Sequence, residues 1–462
     1  MKKGGYTKMQ KIYPIELITD TTQTIYIPSD YVTTSELKMV AFGTMKKGAI
    51  IKRHTKWRNT VGISQDLLDD LHFPSANSSV HLFSNMDTLY LGPLVGIFTS
   101  GFSTIKVRPI GDRSILFSKL LSVQKTVGVI AFLFGEQHIN WDSGTINGLF
   151  YENGWKKVEV PFPNVVYDRI PNRRIENLNK IKRVKNRLQK EYLIPWYNPS
   201  FFNKLDIYER LLQEDSISDY LPETHPFTSI SVIERMLSNF GNVFIKPKNG
   251  SLGKGIFQVI YDKKEGYYYT RYKDTDEGNK LIKFDHLEAL INYIFEDQDP
   301  SHYLVQQGIH LIRVDKKPID FRIHTNKNKD GIWETTAIAA KIAGSGSVTT
   351  HMNNGGIVKA MEELENMDLT PEEMKEKLQK ASLQISTALE KQVEGNIGEI
   401  GFDLGIDRRG RVWLFEANSK PGRSIFKHPL LKKCDLDTRR KSLEYAIYLM
   451  KQSTNSLEDI LQ

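Results

Sequence analysis

Apolar and polar positions change period along the chain, and the changes divide it into three stretches. Up to about residue 80 the apolar runs are short. Ile12–Leu17, Thr24–Ile27 and Met39–Phe42 are β-rich and bounded by polar or glycine residues, which predicts strands. Val61–Ser64 followed by Leu67–Leu71 predicts a strand running into a short helix. From residue 81 to about 200 the pattern alternates. Gly92–Thr99, Val127–Phe134 and Val165–Arg169 are apolar runs of strand length, and residues 115–125 have helical spacing. Strand–helix–strand alternation predicts a small α/β unit.

From residue 201 the pattern is α+β. Thr370–Glu373 is a capping box with proline at the first helical position. Met374, Leu378, Ala381, Ile385 and Ala388 then recur at three and four residues, which predicts an amphipathic helix packed on a core. Pro318–His324 alternates with period two, so Asp320, Arg322 and His324 share the face opposite Ile319, Phe321 and Ile323. Ala337–Ala343 is a further strand whose small side chains leave room beside one cation, Lys341, and Asn353–Gly356 follows with amides and flexible backbone.

Composition narrows the class. The chain has 462 residues, 40% hydrophobic and 26% charged, which excludes a disordered chain, a collagen-like fibre and a disulfide scaffold. At about 150 residues per domain the length gives roughly three domains. No apolar run reaches the roughly 18 residues that span a bilayer, and the charged start is not followed by the apolar core of a secretory signal. One cysteine, Cys434, cannot form an internal disulfide, which suits a reducing compartment. The formal charge of +8 favours anionic partners, but 63 basic residues stand against 55 acidic ones. No repeat or low-complexity segment is found. The basic run Arg173–Lys190 has two readings: a phosphate-binding helix for nucleic acid, or a solvated helix with Ile181, Val184 and Leu188 as its buried seam. The absence of any accompanying nucleic-acid motif favours the second.

Two segments carry candidate chemistry. Val243–Pro247 and Ile256–Tyr261 predict strands around the glycine-rich loop Lys248–Gly255. Gly250, Gly253 and Gly255 allow close backbone approach to an anion, Ser251 lies among them, and Lys246 and Lys254 add positive charge. The glycine spacing is not that of a Walker loop, and a plain mobile hairpin turn is the alternative. Glu399–Ile406 and Arg411–Asn418 predict a hairpin turning at Asp407–Gly410. With that four-residue loop, Asp403 pairs with Leu414, and Asp403, Leu414, Glu416 and Asn418 share a face, with Asp403 and Glu416 diagonal. Two acids and an amide on an apolar hairpin need neutralising. A hard divalent cation such as Mg²⁺ does this with oxygen ligands; lysine or arginine from elsewhere is the alternative.

Lys246, the glycine loop, a hinge at Leu304–Ile309, Asp320-Phe321-Arg322, Asp403 and Glu416-Ala417-Asn418 occur in one order. In that order they resemble the ATP-grasp superfamily over about residues 201 to 455. The whole layout, ending in Glu416–Gly422, resembles the YheC/YheD endospore coat-associated group. The resemblance implies an ATP-grasp domain over 201–462, two α+β subdomains sandwiching ATP. It implies an α/β pre-ATP-grasp domain over 81–200 before it and a β-rich module over 1–80. It further implies that Lys204 and Lys246 contact the nucleotide, that the backbone of Gln307 and Ile309 holds the adenine edge beside Gln306, and that Asp315 is the ribose candidate. Arg322 and Lys341 would grip phosphates, and Asp320 would orient one of them. Asp403, Glu416 and Asn418 would hold two Mg²⁺ ions, and Arg423 would bind an acidic substrate or brace a helix end. The activity implied is ATP-dependent carboxylate–amine ligation through an acyl phosphate, in the cytoplasm of a spore-forming cell and linked to its spore coat. A non-catalytic nucleotide-binding coat or scaffold protein is the alternative.

Overall fold

The β-rich start folds into an eight-stranded sheet, in the order Met45–Gly48, Met39–Phe42, Thr88–Gly92, Ser79–Asn85, Tyr13–Ile18, Val61–Ser64, Thr24–Ile27, Ile50–Arg53. Its strands continue through Gly92, past residue 80. The computed structural model describes residues 11–33, 36–54, 59–248, 255–274, 278–296, 298–344, 347, 350, 355–365 and 367–461, with side chains to residue 455.

The alternating stretch builds the second sheet. Leu94–Phe98 lies between two parallel neighbours, Ile130–Phe134 and Val165–Asp168, and all three are buried on both faces. This is why they read as continuous apolar runs rather than as alternation. The chain passes from Leu94–Phe98 to one side of the sheet and later returns to the other. A crevice therefore opens at the carboxyl ends of Leu94–Phe98 and Val165–Asp168. The basic run forms a short helix, Arg173–Glu176, and then the helix Asn179–Lys190, with Ile181, Val184 and Leu188 buried as the seam of the second. Lys180 pairs with Glu136, Lys185 donates to the Pro199 carbonyl, and Arg187 stacks 4.2 Å from the Trp141 ring.

Two further sheets make up the rest. One runs Thr224–Pro226, Tyr303–Gln307, Asn242–Pro247, Phe257–Asp262, Tyr267–Asp274, Gly278–Phe284, and helices Ile230–Phe240 and Leu287–Ile294 pack on it. The other runs Ile357–Ala360, Trp333–Ile342, Lys317–Lys327, Glu399–Ile406, Val412–Asn418. Its apolar face packs on the helix Pro371–Gln392, whose Met374, Leu378, Ala381, Ile385 and Ala388 are buried. Thr370 accepts from the Glu373 amide, closing the capping box. Its other face turns Asp320, Arg322 and Lys341 toward the preceding sheet. The C-terminal helix Lys432–Leu461 packs Leu443, Tyr445 and Ile447 into a core shared with Val95 and Ile97 of the second sheet, and it also contacts Lys317–Lys327.

Candidate active site between two sheets

A cleft of about 410 Å³ separates the last two sheets. Lys246 enters it from Asn242–Pro247, Lys204 from the first turn of the helix Lys204–Leu211, and Asp320, Lys341, Asp403 and Glu416 from the opposite sheet. Lys246 and Glu416 thus come from strands 170 positions apart in sequence and line one cavity.

The hairpin register differs from the expected one. Ile406 pairs with Val412 and Leu404 with Leu414, and then a β-bulge brings Asp403 directly opposite Glu416. Phe415 is the extra residue. Leu414 therefore sits in the core beside Leu404 and Phe402, not on the carboxylate face. The bulge depends on Gly405, where a Cβ would lie 2.6 Å from the Phe415 ring. It brings the two acids closer than the diagonal placement would, and it turns Phe415 into the cleft wall.

Charge in the cleft is concentrated around Asp403. Arg322 grips it with two bonds, Nε to Oδ1 at 3.0 Å and an η nitrogen to Oδ2 at 2.9 Å. Lys341 Nζ stands 2.8 Å from Asp403 and 2.9 Å from Asp320. Burial alone would raise the Asp403 pKa; Arg322 and Lys341 outweigh it and hold the carboxyl well below the usual range. Burial raises Asp320, with Lys341 opposing, and Thr350 donates to it at 2.5 Å. Lys341 is raised: burial pulls its pKa down, but Asp320 and Asp403 more than compensate. Glu416 is more open, with Lys204 Nζ 3.6 Å away. Lys246 donates to Gln306 Oε1 at 2.5 Å, and burial, then Lys204, push its ammonium down to about 7 against Glu416 and Asp403.

Among the described residues no three acidic, histidine or cysteine side chains gather. The candidate metal set is two facing carboxylates plus the Asn418 amide, which stands opposite Gly401. All three are hard oxygen donors, which fits Mg²⁺. Both Asp403 oxygens already accept from cations, so that carboxylate has to give up part of its grip on Arg322 or Lys341 to take an ion.

At the hinge, Gln306 is buried, donates to Thr224 and braces Lys246. The Gln307 N–H donates to the Glu223 carbonyl, so any adenine contact there falls to the Gln307 carbonyl. Ile309 lines the cleft. Gly308 is required between them, since a Cβ would lie 1.5 Å from Asn242 Oδ1. Asp315 is exposed at the turn before Lys317–Lys327, with φ +49°, and is not on the cleft wall, where Arg313, Lys316 and Lys317 stand instead. Arg423 is not brought to this cleft; it binds Asp435 at 2.6 Å. Gly250, Ser251, Gly253 and Lys254, with Asn353 and Asn354, lie outside the described residues; Gly255 has φ +68° on the Phe257–Asp262 side. Sequence reading missed Gln258 and Arg271, a cross-strand pair on the cleft wall. Their signal is weak: Gln258 is a single polar residue between Phe257 and Val259, and Arg271 stands among tyrosines.

A family model described as YheC/D like ATP-grasp matches residues 193–449. The endospore coat-associated protein YheD of Bacillus subtilis (strain 168) is 42% identical over 443 residues, covering 94% of this chain and 95% of that one. The endospore coat-associated protein YheC of the same organism is 22% identical over 340 residues, 71% of this chain and 89% of that one. Among solved structures, a D-alanine–D-alanine ligase from Bacillus anthracis is 14% identical and aligns with a TM-score of 0.44 over 79% of this chain and 99% of its own. On the family match over more than half its length and the identity to YheD, this chain belongs to the YheC/D-like ATP-grasp family.

Proposed function

We propose that the protein is an ATP-dependent ligase that joins a carboxylate to an amine. One observation carries the reading: Lys246 and Lys341 converge with Asp403 and Glu416 in a single cleft between two sheets, and Arg322 grips Asp403 from the neighbouring strand. Lys246 and Lys204 hold the inner phosphates, and the hinge at Gln307–Ile309 takes the adenine. Arg322 and Lys341 face the transferring phosphoryl group, where fixed cations offset the charge that builds up. Asp403, Glu416 and Asn418 are the residues to hold magnesium, which when bound neutralises phosphate charge and aligns the triphosphate. The substrate carboxylate oxygen bonds to the γ-phosphorus as the bond to ADP breaks. The amine nitrogen then bonds to the carbonyl carbon, phosphate leaves, and the amine proton passes to solvent or phosphate. No protein nucleophile is needed; the site supplies alignment and charge.

The names of the relatives support a place in or near the spore coat. A three-part division goes with this reading, with the first boundary at Gly92, where the first sheet ends, rather than at residue 80, and with residues 201–462 carrying the nucleotide site. The test is ADP release by the full chain over a panel of acids and amines, with product masses. Release that requires Mg²⁺, an acid and an amine supports ligation. Tight ATP binding without ADP on any pair would favour the non-catalytic coat protein.

Lys246 gives a pH prediction. Its pKa near 7 leaves it mostly neutral at pH 8, and a triphosphate beside it favours the charged form. ATP binding should therefore take up a proton, with affinity flat below pH 7 and falling up to about tenfold per unit above it. Calorimetry from about pH 6.5 to 8.5, in buffers of different ionisation heat, reads both effects; Lys246→Met should flatten the profile. Affinity that does not change across this range would refute the assignment.

A further inference from the structure

A second group of cations lies where the second sheet meets the strand Lys317–Lys327 and the C-terminal helix, and the nucleotide reading leaves it unused. Arg169 follows the carboxyl end of Val165–Asp168, and Thr99 follows that of Leu94–Phe98. Thr99 donates to the Arg169 carbonyl and accepts from Arg113 at 3.0 Å each, so both arginines stand at the crevice where the strand order reverses. Across from them, Arg423 and Arg439 share Asp435, and a narrow cleft is walled by Phe117, Tyr167, Arg169, Arg423 and Arg439.

The charges do not balance. Arg169 pairs with Glu399, which also accepts from Tyr167, and Arg423 and Arg439 divide one carboxylate. Among the described residues Arg113 has no carboxylate partner, and Arg439 Nε is buried without an acceptor. Four guanidiniums thus face two acids, and bidentate carboxylate recognition is what guanidinium geometry suits best. Between this group and Arg322 beside the main cleft lie the buried side chains of His324 and Phe426. His324 is two residues from Arg322, 1% exposed, with Nε2 unpaired. Its ring lies 5.1 Å from Phe426, over which Arg423 stacks at 4.7 Å. Burial, then Arg423, Arg322 and Arg169, keep His324 neutral, so it does not supply the missing anion.

We propose that this crevice binds a carboxylate of the substrate other than the one that reacts, so that the substrate is an acidic amino acid or acidic peptide. The inference rests on the ligase reading for what happens to that substrate, but binding can be tested apart from turnover. Calorimetry on the full chain with Mg²⁺ and a non-hydrolysable ATP analogue would compare free glutamate and triglutamate with glutamine and triglutamine. Acidic ligands should bind at least tenfold more tightly. Arg113→Gln should erase most of that preference while ATP affinity stays within twofold; among the described residues Arg113 has no carboxylate partner, so its loss strands no buried acid there. Arg113→Lys should keep part of it, and Arg423→Gln should act as Arg113→Gln does. Equal binding of acidic and neutral ligands, or a preference that Arg113→Gln and Arg423→Gln both leave intact, overturns the inference even if ADP release has established ligation. Selective binding of acidic ligands with no ADP formed on any pair would uphold the crevice and remove the ligase reading.

Discussion

Glu416→Gln is expected to lower ADP release by about 10²–10³-fold, the loss typical when one group stabilising transition-state charge is removed, while leaving the fold in place. Glu416 stands directly opposite Asp403 and is half-open to the cleft, with Lys204 at 3.6 Å as an ion-pair partner. An ion pair of that length and exposure is worth at most about 1 kcal/mol, so denaturation curves should overlay those of the unmodified protein closely. The kinetic loss should fall on kcat more than on the KM of ATP, because Lys204, Lys246 and the hinge still hold the nucleotide. Turnover within a few-fold of the starting protein would remove Glu416 from the reaction.

Asp403→Asn should behave differently, and the difference follows from burial. Asp403 is 13% exposed and bonded to both Arg322 and Lys341. The amide removes the anion and leaves Arg322 buried without its carboxylate, while Lys341 keeps Asp320; breaking a buried pair in this way costs about 3–5 kcal/mol. Loss of activity in this variant would therefore mix chemistry with stability. Adding Arg322→Met to Asp403→Asn should restore part of the stability without restoring turnover, because Asp403 is the carboxylate that Arg322 grips, and urea denaturation of the four proteins of that cycle measures it. The pH dependence has a definite sign. Because the folded Asp403 pKa is depressed, its contribution is full above the unfolded value of about 3.9 and is lost as pH falls below it. Asp403→Asn should flatten the acid limb of stability against pH. A variant as stable as the unmodified protein would show that Arg322 and Lys341 do not depend on this carboxylate.

Local pattern was enough for the elements that bury one face. The alternation in Pro318–His324 placed Asp320 and Arg322 together, and the capping box at Thr370 marked the start of the helix Pro371–Gln392. Pairing within the hairpin was not legible to the residue. A bulge inserts Phe415 without changing the hydrophobic pattern, so counting back from the turn gave Asp403 the wrong partner while keeping it on the face of Glu416. The ion-pair alternative for Asp403 was legible as chemistry but not as geometry, since Arg322 and Lys341 reach it from two other strands. The arginine crevice was least legible. Arg169 and Glu399 meet across 230 positions, and only the third dimension puts Arg113, Arg423 and Arg439 near them. Arg423, weighed as a substrate ligand or a helix-end brace, binds Asp435 near the start of the C-terminal helix and lines that crevice rather than the nucleotide cleft.

The most direct measurement is a crystal structure of the full chain with Mg²⁺ and a non-hydrolysable ATP analogue. The account predicts a triphosphate lying between Asn242–Pro247 and Lys317–Lys327, with Lys246 on its inner phosphates, its terminal phosphate within bonding distance of Arg322 or Lys341, and the ion on Glu416 and Asp403. Nucleotide bound outside this cleft, or an ion that touches neither carboxylate, would contradict it.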